Sequence, residues 1–198
     1  MTRPKLTLKN MILHARKICI HCKWVRYYCR LAGIPLRGWL HDLSKYSPAE
    51  FFESSRYYVG TSSPINEAKR IQGISYAWLH HRGRNRHHHL YWYDNIEEGG
   101  YCHLIPKKDF TELVCDFLGA ARAYNENEFS YHKELIWWYK KRDTLKMNEK
   151  NKIMLDDIFS TLEYNARRAN INEMTPEENI KNNLIGKIWD KYSVEENN

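Results

Sequence analysis

Between Leu8 and Ala32 the apolar residues Leu8, Met11, Ile12, Ala15, Ile18, Cys19, Cys22, Val25 and Cys29 recur at steps of three and four. Gly33 stands where such a helix would stop. The spacing predicts one long amphipathic helix, with His14 and His21 seven residues apart on one flank of it, near Ile18 and Val25. A lone histidine there is more often a hydrogen-bonded packing residue than a ligand. Pro35 opens a second helix, which carries His41-Asp42. Ser47-Pro48-Ala49-Glu50 combines a cap, a proline in the first turn and a glutamate three after the cap, so a third helix starts at Pro48. Gly60-Thr61-Ser62-Ser63-Pro64 makes a loop and restarts a helix by the same device. That helix runs through Glu67, Lys69 and Arg70 to a break at Gly73, and Ser75 to Arg82 resumes it.

Gly83-Arg84-Asn85-Arg86 reads as a turn, followed by His87-His88-His89-Leu90-Tyr91-Trp92, the most unusual composition in the chain. Asn95 to Pro106, with Gly99-Gly100 inside it, suits a small hairpin or irregular loop that acts as a flap. Helical spacing returns from Lys107 to Tyr124, where the run Leu113 to Ala121 is apolar apart from Asp116. Asn125 to Glu128 is a polar linker. Beyond it Tyr131 to Arg142, Glu149 to Arg168 and Pro176 to Tyr192 read as three helices, the last announced by Thr175-Pro176-Glu177-Glu178. Trp137, Trp138, Leu155, Ile158, Phe159, Leu162, Leu184, Ile188 and Trp189 form a packing face rather than a binding box. The fold class expected is all-α: a helical bundle over residues 1–125 with a small hairpin insertion, and extra helices over 126–198 that complete the core, form a lid or mediate dimerisation.

A length of 198 residues with 42% hydrophobic content suffices for one globular unit. The net charge of +7 favours an anionic partner, whether phosphate ester, nucleotide or nucleic acid, without choosing among them. Five cysteines, an odd number, and no signal-like N-terminus imply a reducing cytoplasm, and no apolar run is long enough for a membrane span. Cys19-Ile-His-Cys22 resembles a zinc half-site, but there is no second pair, and both thiols fall in the apolar stripe as small hydrophobes.

The chemistry lies in an ordered supply of donors: His21, His41-Asp42, His80-His81, His87-His88 and Asp116. Each has a bland reading, as packing histidine, helix cap, solvated basic loop or structural aspartate. Together they suit a cation, because a carboxylate in an apolar run is costly to bury without a partner. Neighbours on a helix point about 100° apart, so only one of His80 and His81 is expected to face the site directly. Imidazoles and carboxylates suit Mn, Fe, Co, Ni or Zn, and Asp42 has two oxygens with which to bridge two such ions. Tyr76, Trp78, Tyr91 and Trp92 offer faces for a base but are more often core.

This order resembles the HD superfamily of metal-dependent phosphohydrolases, all-helical proteins in which a His, a His-Asp pair and a distant Asp hold a metal. The similarity covers roughly residues 8 to 125. Lys45, three after Asp42, matches the lysine that follows the pair in many of those enzymes. The strings Gly38-Trp39-Leu40-His41-Asp42-Leu43-Ser44-Lys45-Tyr46-Ser47-Pro48, Ala77 to Asn85 and Asn85-Arg86-His87-His88 are similar, more closely, to an uncharacterised bacterial and phage family of HD-like proteins. The Gly-Tyr-Pro signature of the cyclic dinucleotide phosphodiesterases is absent, so their substrate does not carry over.

The resemblance implies one metal on His21, His41, Asp42 and Asp116. It implies a second on Asp42 with His80 or His81 and His87 or His88, with Asp42, Lys45 and His81 in catalysis. Lys45, Arg82, Arg84 and Arg86 are the expected phosphate contacts. The function expected is hydrolysis of a nucleotide or other small phosphate ester, as phosphomonoesterase or phosphodiesterase, by a metal-activated water. Two other readings stand beside it. One is a di-iron redox enzyme; the other is a non-catalytic anion or nucleic-acid binding protein with a structural metal. Homodimerisation stays open.

Overall fold

In the computed structural model, which describes residues 3–169 and 174–193, the Asn10 amide donates to Thr7 Oγ1 at 3.1 Å and caps the first helix, α1 (Leu8–Leu31). At 100° per residue, the covered arc of α1 runs from His14 and His21 through Ile18, Val25 and Cys29 to Cys22. Leu8, Ile12 and Cys19 fall beyond that arc and are exposed. The stripe expected from spacing is therefore rotated toward the histidines. Cys22 is a buried thiol as expected, but Cys19 is not; it sits at the surface 3.4 Å from the Tyr46 hydroxyl.

Gly33, at φ 76°, reverses the chain into α2 (Pro35–Leu40). A Cβ at Gly38 would lie 2.7 Å from Cys29 Cβ, so α2 packs on α1 only with glycine there. Three short helices follow: α3 (Pro48–Arg56), α4 (Pro64–Gln72) and α5 (Tyr76–Arg82), each opened by a proline or by a serine cap. Gly73, left-handed at φ 79°, makes the expected break between α4 and α5. The capping box expected at Ser47 and Glu50 is not made. Ser47 gives no side-chain cap, and Glu50 turns instead to two histidines described below.

The hairpin is two residues per strand, β1 (Tyr93–Asp94) against β2 (Tyr101–Cys102), with Tyr93 opposite Cys102. The long helix α6 (Lys107–Asn125) then crosses α1 so closely that a Cβ on Gly119 would meet Val25 Cγ2 at 2.5 Å. The chain ends with α7 (Tyr131–Lys141), α8 (Glu149–Arg168), α9 (Pro176–Lys181) and α10 (Leu184–Ser193). The single helix expected over Pro176 to Tyr192 is thus two, separated at Asn182 and left-handed Asn183; its Thr175–Glu178 capping box is present.

The all-α class holds. One core runs from Val25, Tyr28 and Phe110 through Trp138, Leu155 and Phe159 to Ile180 and Ile188. Residues after 126 therefore complete the core begun before 125. The hairpin is tied to α8 by Asn148 and Asn151, whose side chains hydrogen-bond Cys102 O and Ile105 N at 2.9 Å. No helix among the described residues is long and apolar enough to cross a membrane.

Candidate metal centre

The helix expected to run from Pro35 through His41-Asp42 ends at Leu40. His41 caps it with φ −55° and ψ 129°, and Asp42 is left-handed at φ 58° before a 3-10 turn over Leu43–Tyr46. On a helix the two side chains would splay; the broken backbone turns both toward one point, with His41 Nε2 3.1 Å from Asp42 Oδ2. Left-handed backbone is unfavourable for an L-residue, least so for Asp or Asn.

To that point α1 brings His21 and α6 brings Asp116. His21 Nε2 lies 3.3 Å from His41 Nε2, 3.2 Å from Asp42 Oδ2 and 3.1 Å from Asp116 Oδ1, and His41 Nε2 is 3.4 Å from Asp116 Oδ1. Donors bound to one ion at about 2.0–2.2 Å, at angles between octahedral and tetrahedral, stand about 2.8–3.6 Å apart. The measured separations fit. A second quartet joins the other oxygen of Asp42: Asp42, His81, His87 and His88 offer donor atoms within 4.8 Å of one another. Asp42 Oδ1 is 3.2 Å from His81 Nε2 and 3.5 Å from His87 Nε2. Asp42 Oδ1 and the Nε2 atoms of His81, His87 and His88 are all buried without a hydrogen-bond partner. Four orphaned polar atoms in one place are what a bound cation would relieve.

Two glutamates aim these rings. Glu112 Oε1 accepts from His41 Nδ1 at 2.9 Å and lies 3.2 Å from His87 Nδ1. Glu50 meets His81 Nδ1 at 2.7 Å with one oxygen and His80 Nδ1 at 2.6 Å with the other. A proton given to a carboxylate at Nδ1 leaves Nε2 with its lone pair forward. His41, His87 and Glu112 could themselves hold an ion, but their facing atoms already form these bonds. Arg37 braces Glu112 at 2.6 Å and also pairs with Asp109.

Of the residues expected at the site, His21, His41, Asp42, His81, His87, His88 and Asp116 come together, and Lys45 Nζ rests 2.5 Å from Asp42 Oδ2. His80 does not; it stands behind His81 on the far oxygen of Glu50. The expected arginine clamp is absent from the site. Arg86 pairs with Asp109 at 3.1 Å and stacks on Trp92, and neither Arg82 nor Arg84 lines the cavity. Asp109, one helical turn before Glu112, holds Arg86 away from the site. Glu50, Asp109 and Glu112 are the participants the sequence reading missed. Asp109, Glu112 and Asp116 lie three and four apart on α6, a one-face spacing that was available in the sequence.

Burial opposes charge on Asp42, but His41, Lys45 and His81 hold its carboxyl well below the usual range. Asp116 is likewise held low against burial by His21 and His41, and Glu112 by His41 and His87. Burial works against protonation of His41, yet Asp42 and Asp116 raise it well above an ordinary imidazole. His88 goes the other way: burial, His87 and His81 keep it neutral.

Both quartets open on a cavity of 230 Å³. His21, Asp116, Lys45, His81 and His88 line one part, and Ile18, Ile65, Ala77, Trp78, Ala120 and Tyr124 supply apolar and aromatic wall. Trp78 is thus at the site, while Tyr76, Tyr91 and Trp92 are not, and no hairpin residue reaches the cavity.

The fold and site together define an all-α protein with a buried histidine and aspartate cluster suited to one or two cations. A family model described as a family of unknown function, DUF5662, matches residues 10–168, and the chain belongs to that family. The match includes every residue of both quartets and continues through α7 and α8. Comparison with curated proteins and with solved structures finds no match.

Proposed function

We propose that this protein is a metal-dependent phosphohydrolase that cleaves a nucleotide or another small phosphate ester, using one or two divalent ions of the Mn, Fe, Co, Ni or Zn class. The observation that carries the reading is the division of Asp42: Oδ2 belongs to the first quartet, while Oδ1 lies 3.2 and 3.5 Å from the Nε2 atoms of His81 and His87, which like His88 Nε2 are buried without a hydrogen-bond partner. Imidazoles with a shared carboxylate are the donors such ions favour. The ordered resemblance to the HD superfamily of phosphohydrolases supports the hydrolytic reading, although some HD proteins with the same ligand order use two iron ions for redox chemistry.

When bound, the ions would supply Lewis acidity to the phosphoryl oxygens and make water a nucleophile near neutral pH. The chain's own contribution is preorganisation. Asp42 joins the two donor sets, and Glu112 and Glu50 keep the imidazole lone pairs forward. His81, expected among the catalytic residues, serves here as a donor. Lys45, cationic and on the cavity wall, restrains Asp42 and faces the charge that builds on phosphorus-bound oxygen. Burial pushes the Lys45 ammonium toward neutrality, but Asp42 and Asp116 raise its pKa above the ordinary lysine value, so it keeps its charge.

Elemental analysis of the purified protein, paired with a phosphate-release screen over nucleotides and a generic ester, tests this. Bound transition metal with chelator-sensitive phosphate release is expected. Two irons with a visible band that responds to oxygen, and no phosphate released, would replace hydrolysis by redox chemistry. Salt-sensitive nucleic-acid binding untouched by chelator would leave a binding protein.

A further inference from the structure

We propose that His14 is the residue by which the cavity recognises the organic part of its substrate, a phosphomonoester whose body carries a hydrogen-bonding group beside an apolar or flat surface. The inference rests on the phosphohydrolase reading and adds to it the class of ester and the group that reads it.

His14 lies seven residues before His21 on the covered arc of α1, about 10.5 Å along the helix axis. That is too far to share an ion with His21 and near enough for one small molecule to touch both ends. The ring lines the cavity and is 6% exposed, and its Nδ1 is buried without a hydrogen-bond partner. Such an atom is costly to bury unless something completes it. Phe51 and Tyr58, with ring centroids 5.6 and 5.8 Å away, hold the imidazole in place. Burial and the charge of Lys45 lower its pKa to about 4, so at neutral pH it presents one donor and one acceptor.

The cavity sets the size. At 230 Å³ it lies below the roughly 300–1,000 Å³ of common small-molecule pockets, which suits a compact monoester. A phosphate placed at Lys45 and the loaded donor sets would direct the rest of the molecule along Ile18, Ala120 and Tyr124, which share the cavity wall with His14.

The test is equilibrium binding to the metal-loaded protein by calorimetry. The probes are inorganic phosphate and non-hydrolysable phosphonate analogues of glycerol phosphate, ribose 5-phosphate and the nucleoside 5′-monophosphates. At least one analogue is expected to bind tenfold or more tightly than phosphate. His14→Phe and His14→Ala should each erase that preference, leave phosphate affinity within twofold and leave metal content unchanged. His14→Gln, which retains a donor and an acceptor, should keep part of the preference and serves if the other two fail to fold. The inference is overturned if no analogue outbinds phosphate, if a folded His14→Phe or His14→Ala keeps the preference, or, where only His14→Gln folds, if the preference is undiminished in it. A wild-type protein that holds neither metal nor phosphate overturns the phosphohydrolase reading as well, so the two failures are told apart.

Discussion

His41 and His87, one from each donor quartet, meet the same oxygen of Glu112, at 2.9 and 3.2 Å, with their rings 4.4 Å apart. A single carboxylate on α6 therefore orients a donor on each side of Asp42. Glu112→Gln keeps the shape but removes the charge and one acceptor. It should weaken metal binding at both positions by about 10- to 100-fold while the protein still folds. Metal titration followed by calorimetry would read this, and weakening of only one binding event would argue that the two quartets are set independently.

His80 and His81 hang from the two oxygens of Glu50, yet only His81 turns a nitrogen toward Asp42. His81→Ala should remove one equivalent of metal and all turnover. His80→Ala should keep its metal and lose no more than about tenfold in activity. Elemental analysis of the two variants side by side separates the roles.

Gly119 lets α6 approach α1, where a Cβ would meet Val25 Cγ2 at 2.5 Å and Val25 N at 3.0 Å. Gly119→Ala should destabilise the fold by about 1–3 kcal/mol, since the obstructing atoms include backbone. Because α1 carries His21 and α6 carries Asp116, first-quartet metal affinity should fall with it. Thermal melts with and without added metal would show both effects.

Glu134 is buried on α7, and burial raises its pKa to about 8 from the usual 4.5. Below about pH 4.5 the group is protonated folded or unfolded, and its contribution is fully present. As the pH rises toward 8 the unfolded chain ionises first, so stability is lost across that window. Glu134→Gln should flatten this slope and raise stability at pH 8 by about 2–4 kcal/mol, with little change at pH 4. Urea melts across the window check it; an unchanged slope would mean Glu134 ionises freely.

The donors were legible because their chemistry is unusual for their surroundings. Asp116 interrupts an apolar run, and His21 and His41-Asp42 precede it in an order that few other arrangements explain. The break at His41 was hidden because Leu36, Leu40 and Leu43 continue helical spacing across it, although all three side chains are exposed. Glu50 was hidden for a different reason. A glutamate three after a serine has the local signature of a helix cap, and only tertiary structure shows that its partners are His80 and His81. Arg82, Arg84 and Arg86 were misplaced because sequence proximity to a histidine run says nothing about which way a turn faces.

Metal stoichiometry in Asp42→Ala bears most directly on the shared-carboxylate centre. Wild-type protein reconstituted with manganese, cobalt or iron should hold close to two ions per chain. Asp116→Ala should keep about one and Asp42→Ala almost none, with folding confirmed by circular dichroism. Full occupancy in a folded Asp42→Ala protein would contradict a centre in which that carboxylate joins two donor sets.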